Sequence, residues 1–415
     1  MSPAERRSIL ALLAAIFCTA AGAVAQITVL GKLVYDMTRD VFSLGLLGLV
    51  EFAPAALLVL VVGAVADRFD RRRVVAIGSV GCAFATLGLR WYAGTRPRSV
   101  VPIFVLVLMW GTSNAFATPA LRSLPADMVD ASRLPWLIAR DSVAWQVALI
   151  GGPVLGGFLY VVDVRLPFVA VAAFYGLGAG AAMLTQVRER HVDPDAEPSL
   201  HGALEGLRFV RSNPVLLGAI SLDLFAVLFG GAVALLPAIA TDRLHVGAVG
   251  LGWLRAAGGA GAAATTLVLA TRPLRRRIGR TLLTVVAIFG VFTVVLGVTR
   301  SFAVAFVAML LLSAADAVSV FIRATLVPLV TPYDKRGRVL AVENVFIGAS
   351  NELGGFESGS AATVLGTSGS VIFGGIATVA VATAWCLLFP SLRRIDEFPG
   401  GAEAAPVPYD DTRRG

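Results

Sequence analysis

Histidine and cysteine are nearly absent from this chain of 415 residues, which holds three of each. No HExxH string and no paired Cys/His spacing occurs, so neither a zinc site nor a disulfide framework is expected. Cys18, Cys82 and Cys386 fall inside apolar runs and read as buried thiols, while His191, His201 and His245 lie in or beside polar stretches. No catalytic residue, metal or cofactor is indicated, and the chain does not read as an enzyme. Charge is also scarce: 15% of residues are charged, against about 25% in soluble proteins. Only Lys32 and Lys335 are lysines, so arginine supplies almost all the positive charge.

What fills the chain instead is apolar. Hydrophobic residues make up 57% of it and the mean hydropathy is +0.80, which excludes a soluble globular domain and a disordered scaffold. A helix needs about 20 apolar residues to cross a bilayer. Apolar runs recur at 8–36, 43–66, 74–94, 100–122, 136–162, 166–186, 213–240, 248–271, 281–299, 302–328, 340–366 and 368–390. The first is too long for a signal-peptide core and predicts a retained helix. An all-α membrane protein of twelve spans follows. The net charge of +8 would suggest nucleic acid in a soluble chain. Here it is better explained by arginine-rich loops facing anionic headgroups.

Arg71, Arg72 and Arg73, then Arg275, Arg276 and Arg277, then Lys335 to Arg338 all fall on one side of such a topology. Positive residues favour the cytoplasm, so a multi-pass protein of a bacterial inner membrane with both termini cytoplasmic is expected. The domain plan is 1–186 as one six-helix half, 187–212 as a cytoplasmic linker, 213–390 as the second half, and 391–415 as a disordered tail. Within the linker Leu200, Leu204, Leu207 and Val210 recur at helical spacing and predict an amphipathic helix. The halves echo each other: Ala139, Asp141, Ser142 and Val143 align with Ala341, Glu343, Asn344 and Val345. Such a parallel repeat is one known plan of transporter construction.

Two strings carry more information. The first is GAVADRFDRRR, from Gly63 to Arg73 after span two. It resembles the signature that the major facilitator superfamily carries between spans two and three. The resemblance implies a gate in which Asp67 meets the start of span eleven and the basic cluster, Arg68, Arg71 and Arg72, pairs with acids such as Glu343. The plainer reading is a topology-setting basic loop. Asp70 stands where the signature has glycine. The second string, Gly152-Pro153-Val154-Leu155-Gly156-Gly157 in span five, is similar to an element of the exporting branches of the superfamily. Proline bends a helix and glycines permit close approach; the plainer reading is a packing seam.

Further stretches, LGLVEFAPA, SLDLFAVLFGGAVALLPAIATD, GLGWLRAA and RGRVLAVENVFIGASNELGGFESG, resemble the enterobactin-exporter-like transmembrane secretion effectors, a branch close to macrolide efflux pumps. The likeness covers about residues 10–395 and implies a secondary active exporter, working as a monomer by alternating access. It would carry a siderophore or other secreted metabolite, with drugs or macrolides as the alternative and a small-nutrient importer as a further one. Its partners would be the small-molecule cargo, protons and the bilayer. One departure stands out: relatives coupled to protons often carry an arginine in mid-span four, where this chain has Val105 to Gly111, with Arg122 at the end.

A charge in mid-membrane costs roughly 2.5–3.5 kcal/mol on insertion scales, so it tends to face a cavity or a partner. Glu51, Asp223, Arg255, Asp316, Arg323, Glu352 and Glu357 occupy such positions. Asp316 and Arg323 lie about two turns apart on one helix face, which predicts a substrate-orienting pair. Asp223 is then the expected unpaired proton site, with Glu51 and Glu352 next. Trp110, Phe225 and Phe229 are the expected stacking surfaces. For any one acid, the plainer reading is an ion pair that only holds helices together.

Overall fold

The structure is a computed structural model that describes residues 3–95, 97–130, 132–187, 200–332 and 335–399. The side chains of residues 60, 64, 66, 67 and 200–204 lie outside the described part. The N-terminal half contains α1 (Pro3–Thr38), α2 (Val41–Leu57), α3 (Val59–Arg68), α4 (Arg71–Ala93), α5 (Val101–Met128), α6 (Leu134–Val162) and α7 (Leu166–Met183). A short helix α8 (Leu200–Ser212) leads into α9 (Pro214–Phe229), α10 (Leu236–Ala238), α11 (Gly247–Thr271), α12 (Ile278–Val298), α13 (Phe302–Val330) and α14 (Arg336–Leu388), followed by the turn α15 (Pro390–Arg393).

Among the described residues, nine helices are long and apolar enough to cross a membrane by themselves. Three local features complete twelve crossings among the described residues. Span two is broken at Leu58, whose φ of −100° and ψ of 7° leave the helical range: α2 runs through Pro54 and stops there before α3 resumes. Span eight is α11, rich in glycine and alanine. Spans eleven and twelve are one continuous element kinked at Gly366, whose φ of 72° is accessible to glycine at no steric cost. Span seven is irregular too: α9 gives way to a 3₁₀ turn at Gly231–Leu235, then α10, then a π turn at Ile239–Arg243.

Helix starts follow capping chemistry. Asp40 accepts from the amides of Phe42 and Ser43, and Asn213 from those of Val215 and Leu216, satisfying donors that a helix leaves orphaned. Each half then packs on itself. Leu12, Val75, Leu124 and Leu137 centre one cluster and Leu222, Leu282, Ile322 and Leu326 another. The helix α8 lies against the second half, with Val210 buried beside Val339 and Val342 and Glu205 ion-paired with Arg338.

The tail departs from expectation. Leu392 is fully buried, and the amides of Ile278 and Gly279 donate to Asp396 and Ile395 at 3.2 and 2.9 Å. Phe398 packs edge-on to Phe321. Residues 391–399 are therefore docked on α12 because apolar side chains punctuate an otherwise polar segment. Residues 188–199 of the expected linker and 400–415 of the tail lie outside the described residues.

The halves meet along two seams, α6 with α11 and α2 with α14. Gly157 faces Ala248, Gly252 faces Pro153 and Gly259 faces Leu149 in the first; Gly45 faces Gly355, and Gly48 faces Glu352, in the second. Gly259 and Leu149 meet at mid-helix, and the other approaches lie toward the end away from the chain termini. At the terminal end α3 packs chiefly on α5, α2 and α4 of its own half, with Leu57 82% and Phe69 62% exposed. The molecule is closed at the far end and parted at the terminal end.

Candidate functional site

A central cavity of about 310 Å³ lies between the halves, at the small end of the usual range for ligand pockets. Span two contributes Glu51, span eight Arg255, span ten Asp316, and span eleven Asn351 and Glu352. Acids from both halves therefore converge on one space. Glycines make the convergence possible: a Cβ at Gly48 would lie 2.8 Å from Glu352 Oε2, and one at Gly111 would lie 2.4 Å from the Glu51 carbonyl oxygen. Apart from Ser313 the remaining wall is apolar, including Ile27, Leu47, Val227 and Phe289. Phe289 comes from α12 and enters over Gly230, where a Cβ would meet its ring at 2.5 Å. Nothing in the sequence marked it.

Arg255 lies within electrostatic reach of Glu51, and its Nε is buried without a hydrogen-bond partner. A narrow recess lined by Asp223, Asp316 and Ser319 opens beside the cavity. Within it the expected pairing is reversed. Arg323 Nη2 donates to Asp223 Oδ1 at 2.7 Å, with the two side chains 4% and 7% exposed. Asp223 is thus paired rather than free, and Asp316 keeps its place on the cavity wall. Same-face spacing on one helix brought Arg323 near Asp316, but the neighbouring span seven offered a closer carboxylate.

The basic loop serves its own half in this state. Arg71 clamps both oxygens of Asp127 at 3.0 and 2.9 Å, tying the start of α4 to the end of α5. Arg72 donates to Asp70 through Nε and Nη2 at 3.1 and 2.8 Å and to the Thr185 carbonyl at 3.0 Å. Asp70 also accepts from the Arg72 amide and so caps α4. These contacts hold the Asp70 carboxyl below its ordinary pKa, chiefly through the Arg72 hydrogen bond. Arg68 is exposed, and a Cβ added at Gly63 would meet nothing within 4 Å. The side chain of Asp67 lies outside the described residues. Glu343, the expected cross-half partner, is buried in the second half near Arg323 and Asp223. The halves are parted at this end, so the basic loop cannot reach it.

The glycines of span five divide their work. Gly152 and Gly156 sit against Ala21, Ala25 and Val29 of span one, while Gly157 sits against span eight. Pro153 lies within the continuous α6. The expected stacking surfaces are not on the cavity wall. Trp110 is fully buried in the first half, its Nε1 donating to Tyr175 Oη at 2.8 Å. Phe225 packs on Trp385 and Phe229 on Phe373. A ring hydrogen-bonded or stacked inside its own half is not available to a cargo.

The far end holds a contact that sequence reasoning missed. Tyr35 and Arg39 of span one both bind Asp242 of span seven, the second at 3.0 Å. Nearby, Lys32 pairs with Asp36, which also accepts from Tyr160 at 3.0 Å. The i, i+4 spacing of Lys32 and Asp36 was legible in the chain; the reach to Asp242, about two hundred residues away, was not.

Comparison with known proteins places this geometry. Residues 12–346 match the model of the Major Facilitator Superfamily. The chain is 24% identical over 379 residues to the enterobactin exporter EntS of Citrobacter koseri, 89% of each chain being covered. It is 29% identical over 170 residues to multidrug resistance protein 1 of Bacillus subtilis, covering 39% of this chain and 42% of that protein. In three dimensions it resembles a POT family transporter solved in complex with a thioalcohol-conjugated peptide. There the TM-score is 0.74 at 11% identity, with 93% of this chain and 96% of that one covered.

Proposed function

The chain belongs to the Major Facilitator Superfamily, and within it we propose a proton-coupled exporter that works by alternating access. It is a transporter and not an enzyme. Its two halves rock about the central cavity, opening it to one side at a time. One observation carries the reading: carboxylates from both halves, Glu51, Asp316 and Glu352, converge on a cavity closed at one end and parted at the other. With the arginine-rich loops cytoplasmic, the parted end faces inward and awaits cargo. Protonation from outside and cargo binding from inside then alternate at the same acids. Glu51 and Glu352, facing each other across the seam of spans two and eleven, are the proposed proton carriers. Asp67, Arg68 and Arg72 are proposed to lock the terminal end once it closes.

The whole-length likeness to EntS supports a secreted metabolite such as a siderophore as cargo. The acid-rich cavity favours a second reading, efflux of lipophilic drugs, in line with the partial likeness to the Bacillus protein. Protein reconstituted in vesicles of known orientation tests coupling. An imposed pH gradient should drive uphill movement of labelled cargo out of the arginine-rich side. Movement unaffected by the gradient, or in the opposite direction only, refutes proton-coupled export.

A further inference from the structure

The far end of the second half carries an opening separate from the central cavity. It measures about 670 Å³ and is walled by the end of span seven, by Arg300 between spans nine and ten, and by the kink that begins span twelve. Asp242, His245 and Arg300 on its wall are exposed, so it faces the surrounding medium. Its only carboxylate among the described residues is Asp242, which Arg39 and Tyr35 of span one engage. Arg243 and Arg300 lie close enough to repel each other. Among the described residues neither forms an ion pair.

Arg243 is fixed by neutral groups. Its Nε donates to the Thr299 carbonyl at 2.6 Å, its Nη2 to the Val298 carbonyl and its Nη1 to the Ser368 hydroxyl. Each terminal nitrogen keeps a second hydrogen, and the Ser368 hydroxyl, an acceptor in this contact, has its own proton to give. Unpaired arginines are also out of place here, because positive residues collect on the cytoplasmic side of a membrane. An anion that bridges the two removes their repulsion and takes up the spare donors.

We propose that this opening is an oxyanion site for a phosphate group, free or carried on a lipid headgroup, held between Arg243 and Arg300. Arginine forks match pairs of phosphate oxygens, which favours phosphate over a halide. Leu365, 50% exposed, adds an apolar stretch of wall that suits the ester side of a headgroup. Asp242 ties the site to the contact between the halves. While Arg39 and Tyr35 hold it, its charge is offset and the phosphate meets two uncompensated cations. When alternating access opens the far end, Asp242 loses both partners and competes for the same arginines. By linkage, a bound phosphate favours the closed far end.

Inorganic phosphate is the probe. Equilibrium dialysis of labelled phosphate at pH 8 and constant ionic strength, against full-length protein stripped of lipid in a neutral detergent, should give saturable binding. Arg300→Gln should weaken it at least fivefold and, since Arg300 is exposed, leave the unfolding temperature unchanged. Asp242→Asn should strengthen binding at least threefold. Arg39→Gln, which frees Asp242, should weaken it, yet should change nothing when added to Asp242→Asn. Phosphatidylglycerol nanodiscs identify the source. Phosphate binding that persists in the discs marks a solute site. Its loss there, with one more lipid retained by wild type than by Arg300→Gln in native mass spectrometry, marks a headgroup site. The proposal falls if folded wild-type protein neither binds phosphate saturably nor retains the extra lipid. It falls equally if Arg300→Gln leaves phosphate binding unchanged, and Arg39→Gln binding as tightly as wild type overturns the tie to the far end.

Discussion

The Arg323 guanidinium donates to the Asp223 carboxylate at 2.7 Å, joining spans ten and seven inside the second half where both side chains are almost sealed from solvent. A buried pair of this kind resists the loss of one partner far more than the loss of both. Arg323→Met alone should lower stability by about 3–5 kcal/mol, by leaving an unpaired buried carboxylate. The double variant Arg323→Met with Asp223→Leu should recover most of that loss. Thermal unfolding in detergent reads the difference; equal losses in single and double variants would remove the pair from the structural account.

The far-end contact makes a different prediction. Arg39 and Asp242 are 60% and 52% exposed, and an exposed pair is worth about 0–1 kcal/mol. Tyr35 adds a more sheltered hydrogen bond to the same carboxylate. Asp242→Asn should shift the balance several-fold toward a form open at the far end. Maleimide labelling of a cysteine introduced at Leu44, buried beside Tyr35 and Ala238, should accelerate accordingly. An unchanged labelling rate would show that the glycine seams alone hold this end closed.

Neighbouring glycines in span five should behave oppositely. A Cβ at Gly157 would lie 2.5 Å from the Ala248 carbonyl oxygen, while one at Gly151 would meet nothing within 4 Å. Gly157→Ala should force the α6–α11 seam apart and reduce transport at least tenfold, with the protein still folded. Gly151→Ala should transport as the wild type does. Equal activities in vesicles would reduce the GPVLGG string to ordinary membrane-helix composition.

Asp70 offers a test at the edge of the membrane. It caps α4 and binds Arg72, so Asp70→Ala should cost about 1 kcal/mol. Asp70→Gly, which restores the residue of the family signature, should lose only a few tenths of that unit as a cap. Its carboxyl sits below the ordinary value of 3.8 because of Arg72. A depressed folded-state pKa means that its contribution is present above about pH 4 and fades as pH falls through the lower folded value. The stability gap between wild type and Asp70→Ala should therefore narrow under strong acid, as read by unfolding at pH 7 and pH 2.

Span number, the two-half plan and the positions of the basic loop and of GPVLGG were readable from the chain, because hydropathy and glycine spacing act locally. A helix must satisfy its own backbone in lipid whatever its neighbours do, so each apolar run declares itself. The i, i+7 spacing of Asp316 and Arg323 likewise put both on one face. It did not decide which acid the arginine would choose, since that depends on how α9 is rotated against α13. The same limit hid the inward use of Trp110 by Tyr175, the entry of Phe289 over Gly230, and the reach of Tyr35 and Arg39 to Asp242. Partner choice between helices is fixed by their relative rotation and depth, which the packing of both halves sets together and no single span encodes.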